Sequence, residues 1–182
     1  MGETPRVPSG KPSQNDLYRQ AGIAFGAALE RLARAYELDP DKRRDLLQEI
    51  HLALWRSCDA FDARCSLRTW VYRVAHNTAA SHVIRQRRTN SRMVSLEEVE
   101  NATDGKDLEL SADRHQALDR LLSVIQILNP LDRQVILSYL EGIDAASIGE
   151  ITGLSAQAVA TKIHRIKNIL TRRFHERGRH GR

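Results

Sequence analysis

Only two cysteines, Cys58 and Cys65, occur in the chain, too few for a disulfide framework. No apolar run approaches the roughly eighteen residues of a membrane span, and the amino terminus lacks the basic-then-apolar order of a secretion signal. The expectation is a cytoplasmic protein with no membrane insertion. A glycine-rich loop closing on Lys and Ser or Thr is missing, and the carboxylates and histidines make no recognisable catalytic arrangement, so no enzyme is expected. His51, Cys58 and Cys65 follow one another at intervals of seven, but Asp59-Ala60-Phe61-Asp62 interrupts the helix that would align them. A fourth ligand at zinc spacing is also wanting, and neither metal nor cofactor is expected. Finally, no Asp or Glu falls between Arg68 and Arg92, a stretch with six basic residues. A field of one sign points to a polyanion, because an ordinary solvated face mixes signs.

What is present is helical periodicity. Residues 1–13 hold three of the five prolines and no apolar period, and read as a tail. From Asn15 or Asp16 to about Leu38, Leu17, Ala21, Phe25, Ala28, Leu29, Leu32 and Tyr36 recur every three or four residues. Asp39-Pro40 stops that helix and caps the next, 40–57, whose apolar face is Leu46, Leu47, Ile50, Leu54 and Trp55. A third helix follows from Ser66, with Trp70, Val71, Val74, Ala75, Thr78 and Val83 as its buried stripe. Arg68, Tyr72, Arg73, His76, Asn77, Arg85, Arg87 and Arg88 are left for the surface.

Beyond it, residues 95–115 carry seven acids against two bases and little apolar period. A structureless stretch of that length argues for a flexible acidic linker between two domains. Four more helices are expected after it, at 114–128, from about Leu131 to Leu140, at 145–152 and at 156–172. The fold class is therefore all-α, two small helical domains with a four-helix carboxy-terminal one. Boundaries are placed at 14–88, a linker at 89–112, 113–173, and a basic tail at 174–182.

Ile143 to Ser155 has the order of a helix-turn-helix: Asp144 to cap the first helix, Ala146 small enough for the helix crossing, Gly153 for the turn, Ser155 to cap the second helix. A recognition helix turns its early residues to major-groove base edges and its later basic residues to phosphates. Gln157, Ala158 and Thr161 are candidates for the first role and Lys162, Arg165 and Lys167 for the second, with the cap Ser155 counted among the DNA-binding residues.

Taken together, these motifs make the chain resemble the extracytoplasmic-function group of the bacterial sigma-70 family. The resemblance is carried by Asp45 to Trp55, Phe61 and Ser66 to Asn77, then by Leu128 to Val135, Glu141-Gly142-Ile143 and Val159 to Arg165. It implies a transcription initiation factor that binds core RNA polymerase through Asp45, Gln48 and Glu49. It further implies capture of single-stranded −10 promoter DNA by Arg68, Tyr72, Arg73, His76, Asn77 and Arg85, with Trp70 read as core. Duplex −35 DNA would meet the carboxy-terminal domain, and an anti-sigma factor would mask the polymerase-binding surfaces. Ser81, where the family often has aspartate, and Gln157-Ala158, where Gly-Thr is common, depart from the pattern on the two reading helices. The competing reading is a helix-turn-helix regulator with a ligand-sensing or dimerising amino-terminal domain, which gives the acid-bearing helix at 45–49 and the basic face at 68–92 no shared purpose.

Overall fold

A computed structural model of the chain describes residues 13–87 and 114–178. The expected tail and acidic linker lie essentially outside them. All described regular structure is helical: α1 (Gln14–Tyr36), α2 (Pro40–Ser57), a 3-10 turn (Cys58–Ala60) and α3 (Leu67–Arg87), then α4 (Arg114–Ile127), α5 (Pro130–Leu140), α6 (Ala145–Thr152) and α7 (Ala156–Gly178).

The helix starts are set by side chains that accept the otherwise unpaired first-turn amides. Ser13 Oγ accepts from Asp16 N at 3.2 Å, and Asp39 accepts from Asp41 N and Lys42 N at 3.0 Å with Pro40 at the first position of α2. Ser66 Oγ accepts from Thr69 N at 3.0 Å. Later, Asn129 takes Asp132 N at 2.9 Å, Asp144 takes Ala146 N and Ser147 N at 3.0 Å, and Ser155 takes Ala158 N at 3.2 Å. Each such cap stabilises its helix by about 1 kcal/mol.

In the first region Leu29 and Leu32 of α1, Leu46, Ile50 and Leu54 of α2, and Val71 and Ala75 of α3 share one interior. Trp70 lies with them, its ring 5.3 Å from that of Phe61, as a core residue. In the second region Leu122, Ile125, Val135, Ile136, Ile148, Ile151, Val159 and Ile166 are buried. A fully buried side chain of this size contributes about 1.5–3 kcal/mol.

The tight joint between α6 and α7 differs from expectation in one particular. Gly153 ends α6 in the left-handed conformation, φ 77°. Ala146, however, is exposed, and the close approach is made by Gly149. A Cβ there would lie 2.6 Å from the carbonyl oxygen of Leu154, so hydrogen is the only side chain that fits. The last helix also runs past residue 172, to Gly178.

The larger difference concerns α5. Its apolar Tyr139 and Leu140 are exposed, while every residue from Asp132 to Ser138, the polar ones included, is buried. A helix is buried all round when it is covered on two sides. Here α6 and α7 cover one side and α3 the other, and α1 packs on α4. The buried apolar residues of both regions accordingly form one continuous cluster.

Candidate nucleic-acid interface

The face of α3 that carries the expected −10 readers meets α5. Tyr72 and His76 were assigned to the surface, but they retain 1% and 0% exposure. They form a second stripe one turn apart on α3, and the carboxy-terminal helices lie over it. Tyr36 Oη lies 3.1 Å from His76 Nδ1, and Ser138 Oγ lies 3.1 Å from His76 Nε2. A neutral imidazole satisfies both contacts, one nitrogen donating and the other accepting. Burial disfavours the imidazolium and pushes the His76 pKa down to about 3.

Beside it Glu141, the residue just past the end of α5, draws three groups together. Arg31 of α1 donates from Nε to Oε1 at 2.7 Å and from Nη2 to Oε2 at 2.8 Å. Tyr72 Oη donates to Oε2 at 3.1 Å, and Arg68 Nη2 donates to the main-chain oxygen of Glu141. Arg68 also stands 6.0 Å above the Tyr72 ring. The Arg31 bond is the main reason the Glu141 carboxyl is held below the usual range. Burial first, and the nearby carboxylate second, push Tyr72 up to about 12. A third contact completes the joint: the buried guanidinium of Arg133 lies 5.0 Å over the Tyr36 ring.

The remaining candidates are dispersed. Asn77 is exposed and Arg73 is half-buried. Arg85, expected to meet DNA, is ion-paired with Glu49, expected to meet polymerase, so those two surfaces adjoin across α2 and α3. Glu49 is also 3.8 Å from His82 Nδ1. Asp45 and Gln48 are exposed on α2.

On α7, Ser155, Gln157, Thr161, Arg165 and Lys167 are exposed and Ala158 is half-exposed. Val159, Ile166 and Ile169 hold the opposite side in the core. Lys162, expected as a phosphate contact, is engaged within the chain. Its ammonium donates to Asp132 Oδ1 at 2.7 Å, and Asp132 is 1% exposed. A buried carboxylate demands such a partner, which makes Lys162 a brace between α7 and α5. Lys167 lies 5.5 Å from the Tyr139 ring, and His164 hydrogen-bonds Asn168 at 3.0 Å.

Sequence reasoning missed Arg31, Arg133, Ser138 and Glu141. One local signal was available for Glu141. An acidic side chain at the carboxy-terminal end of a helix opposes the helix dipole, and its presence there calls for a cation from elsewhere.

Two family models match the chain, Sigma-70 region 2 over residues 24–89 and Sigma-70, region 4 over residues 118–170. The chain belongs to the extracytoplasmic-function sigma-70 family. It is similar to RNA polymerase sigma factor NccH of Alcaligenes xylosoxydans xylosoxydans, 26% identical over 167 residues that cover 88% of this chain and 89% of that one. The ECF RNA polymerase sigma-E factor of Escherichia coli (strain K12) is 27% identical over 136 residues, 69% of this chain and 70% of that one. Among solved structures, the sigma factor RpoE in complex with the anti-sigma factor NepR from Bartonella quintana shares the fold, with a TM-score of 0.64 at 18% identity, covering 85% of this chain and 94% of that one. This sigma factor thus directs RNA polymerase to promoters and is not an enzyme. Among the described residues no helix is long and apolar enough to cross a membrane.

Proposed function

We propose that the sigma factor divides promoter recognition between its two regions. The α6–α7 pair acts as a helix-turn-helix that reads duplex DNA at the −35 element, and the α3 face captures −10 bases after they leave the duplex. The observation that carries the first assignment is the outer surface of α7: from Ala156 to Arg172 it holds no acid, while its apolar side is anchored in the core. Gln157 and Thr161 are placed early on that surface for base edges, Ser155 and Ala158 beside them, and Arg165 and Lys167 farther along for phosphates. Lys162, a further phosphate-side candidate, also fixes the helix against Asp132.

On α3, Tyr72 and His76, once the end of α5 is withdrawn from them, and the exposed Asn77 are the base-side groups, and Arg68, Arg73 and Arg85 the backbone-side groups. Capture of unstacked bases by aromatic and basic side chains supplies the free energy that holds a melted strand open. Asp45, Gln48 and Glu49 present α2 to core polymerase. The relative solved with the anti-sigma factor NepR supports the same kind of inhibitor here, acting in the cytoplasm, and the acidic segment between the two regions suits a connector that does not itself hold DNA.

Reconstitution with core polymerase and a promoter library tests this reading. Gln157→Ala is expected to change the bases selected near −35 while leaving core binding intact, and Asn77→Ala to reduce opening more than duplex attachment. Failure of the folded chain to bind core or to initiate at any promoter refutes it, and identical effects of the two substitutions refute the division of labour.

A further inference from the structure

The contact between the two regions has a specific chemistry. One carboxylate, that of Glu141, is gripped by the guanidinium of Arg31 at 2.7 and 2.8 Å and by the phenol of Tyr72 at 3.1 Å, while Arg68 binds the main-chain oxygen of the same residue. A planar fork of guanidinium donors serves a phosphate as readily as a carboxylate. Two guanidiniums against one carboxylate leave the cluster positively charged. The surface continues past Arg31 into a groove between α1 and α2 of about 540 Å³, where Arg34, Arg43 and Arg44 outnumber one lining acid, Glu30, and Arg44 also pairs with Asp41 at 3.3 Å. That continuation fits a polymer of phosphates better than one isolated acid.

The Glu141 side chain reaches this cluster because of the turn beneath it. Gly142 takes the left-handed conformation, φ 73°, and its amide donates to the Tyr139 oxygen at 2.9 Å, which reverses the chain directly after α5. Ser138, one turn earlier on α5, meets His76 from the same side. The same helix end therefore covers Arg68, Tyr72 and His76 together. The outer surface of α7 and the exposed Asp45 and Gln48 on α2 stay uncovered in this arrangement.

We infer that Arg31 and Arg68, beside the base-side Tyr72, form a phosphate site for the melted promoter strand and that Glu141 occupies it as an internal competitor. This assigns to Arg31, on α1, a DNA-backbone contact, and to the end of α5 the role of a plug in the −10 surface. It rests on the assignment of α3 to single-stranded −10 DNA. Opening of the two regions and strand capture are then one exchange: the carboxylate leaves, and a phosphodiester takes its hydrogen bonds. A plug that fills the site for a fraction of the time lowers the apparent affinity for the strand by that fraction.

The two partners of the ion pair predict opposite results, which separates a shared site from a simple latch. Full-length wild type, Glu141→Gln, Arg31→Ala and the double variant are titrated into a fluorescent pool of short random single-stranded DNA at low salt. Glu141→Gln is expected to bind about three- to tenfold more tightly than wild type, the range for losing one partly exposed charge-assisted contact. Arg31→Ala is expected to bind more weakly than wild type although it also opens the latch, and the double variant to match it. Tightening by Arg31→Ala equal to that of Glu141→Gln overturns the phosphate site, and an unchanged affinity for Glu141→Gln overturns the competition. Ser138→Ala loosens the same contact from a second position and gives the tightening result should Glu141→Gln fail to fold. Promoter-dependent initiation by the wild-type chain with core polymerase, run beside the titrations, distinguishes the outcomes. With initiation intact, a failed titration removes only the plug. Absence of initiation removes the −10 assignment itself.

Discussion

Acidification should weaken the joint between the two regions through His76. This ring is wholly buried between Tyr36, Tyr72 and Ser138, and burial lowers its pKa from 6.5 to about 3. In the unfolded chain the imidazole takes up a proton near its ordinary value, whereas the folded chain resists it until far lower pH. Between those limits the unfolded state binds more protons, so folding stability falls as pH falls. Linkage with these two values gives a loss of about 1.4 kcal/mol between pH 7.5 and pH 5.5, close to the 1.36 kcal/mol of one pKa unit. Glu141 adds little over that window, because its carboxyl is held below the usual range in the fold and ionises near its ordinary value when unfolded. His51, also pushed down mainly by burial, titrates in the same direction, so a comparison is needed to isolate His76. Urea unfolding of wild type and His76→Gln, followed through the buried Trp70 at both pH values, supplies it. The substitution costs stability at either pH, but it should remove about 1.4 kcal/mol of the pH-dependent loss. Equal losses in the two chains would refute the reasoning, since His76 would then titrate alike in folded and unfolded states.

Two further substitutions test the carboxy-terminal region. Gly149→Ala adds helix propensity worth about 1 kcal/mol, yet it drives a Cβ to 2.6 Å from a backbone oxygen that has no rotamer to escape into. Overpacking of that kind costs about 1–3 kcal/mol, so thermal unfolding should show a net loss, and a more stable variant would show that the α6–α7 turn yields freely. Lys162→Met leaves the buried carboxylate of Asp132 with the side-chain amide of Asn129, which donates to Oδ2 at 2.6 Å. It should reduce stability by about 1–3 kcal/mol, against at most about 1 kcal/mol for Lys167→Met at its exposed cation–π contact. Equal small losses in chemical denaturation would refute the brace between α7 and α5.

The seven described α-helices were legible in short stretches of sequence, because the signals that set them are local. Ser13, Asp39, Ser66, Asn129, Asp144 and Ser155 cap helices through amides two or three residues away, and Pro40 and Pro130 open helices in which their missing N–H is not needed. Family membership was legible for a related reason: its motifs are contiguous runs of residues. Which polar residues lie buried was a different matter. Tyr72, His76, Arg133 and Ser138 look like surface groups on an amphipathic helix, and only the approach of a second layer removes them from water. Arg31 and Glu141 stand 110 residues apart, and no periodicity links them. The crossing glycine shows the same limit on a smaller scale, since Ala146 and Gly149 are both small, and only the path of Leu154 decides which of them the turn touches. Tertiary structure alone therefore set the joint on the α3 face, because an ion pair across distant segments is chosen by packing and not by sequence spacing.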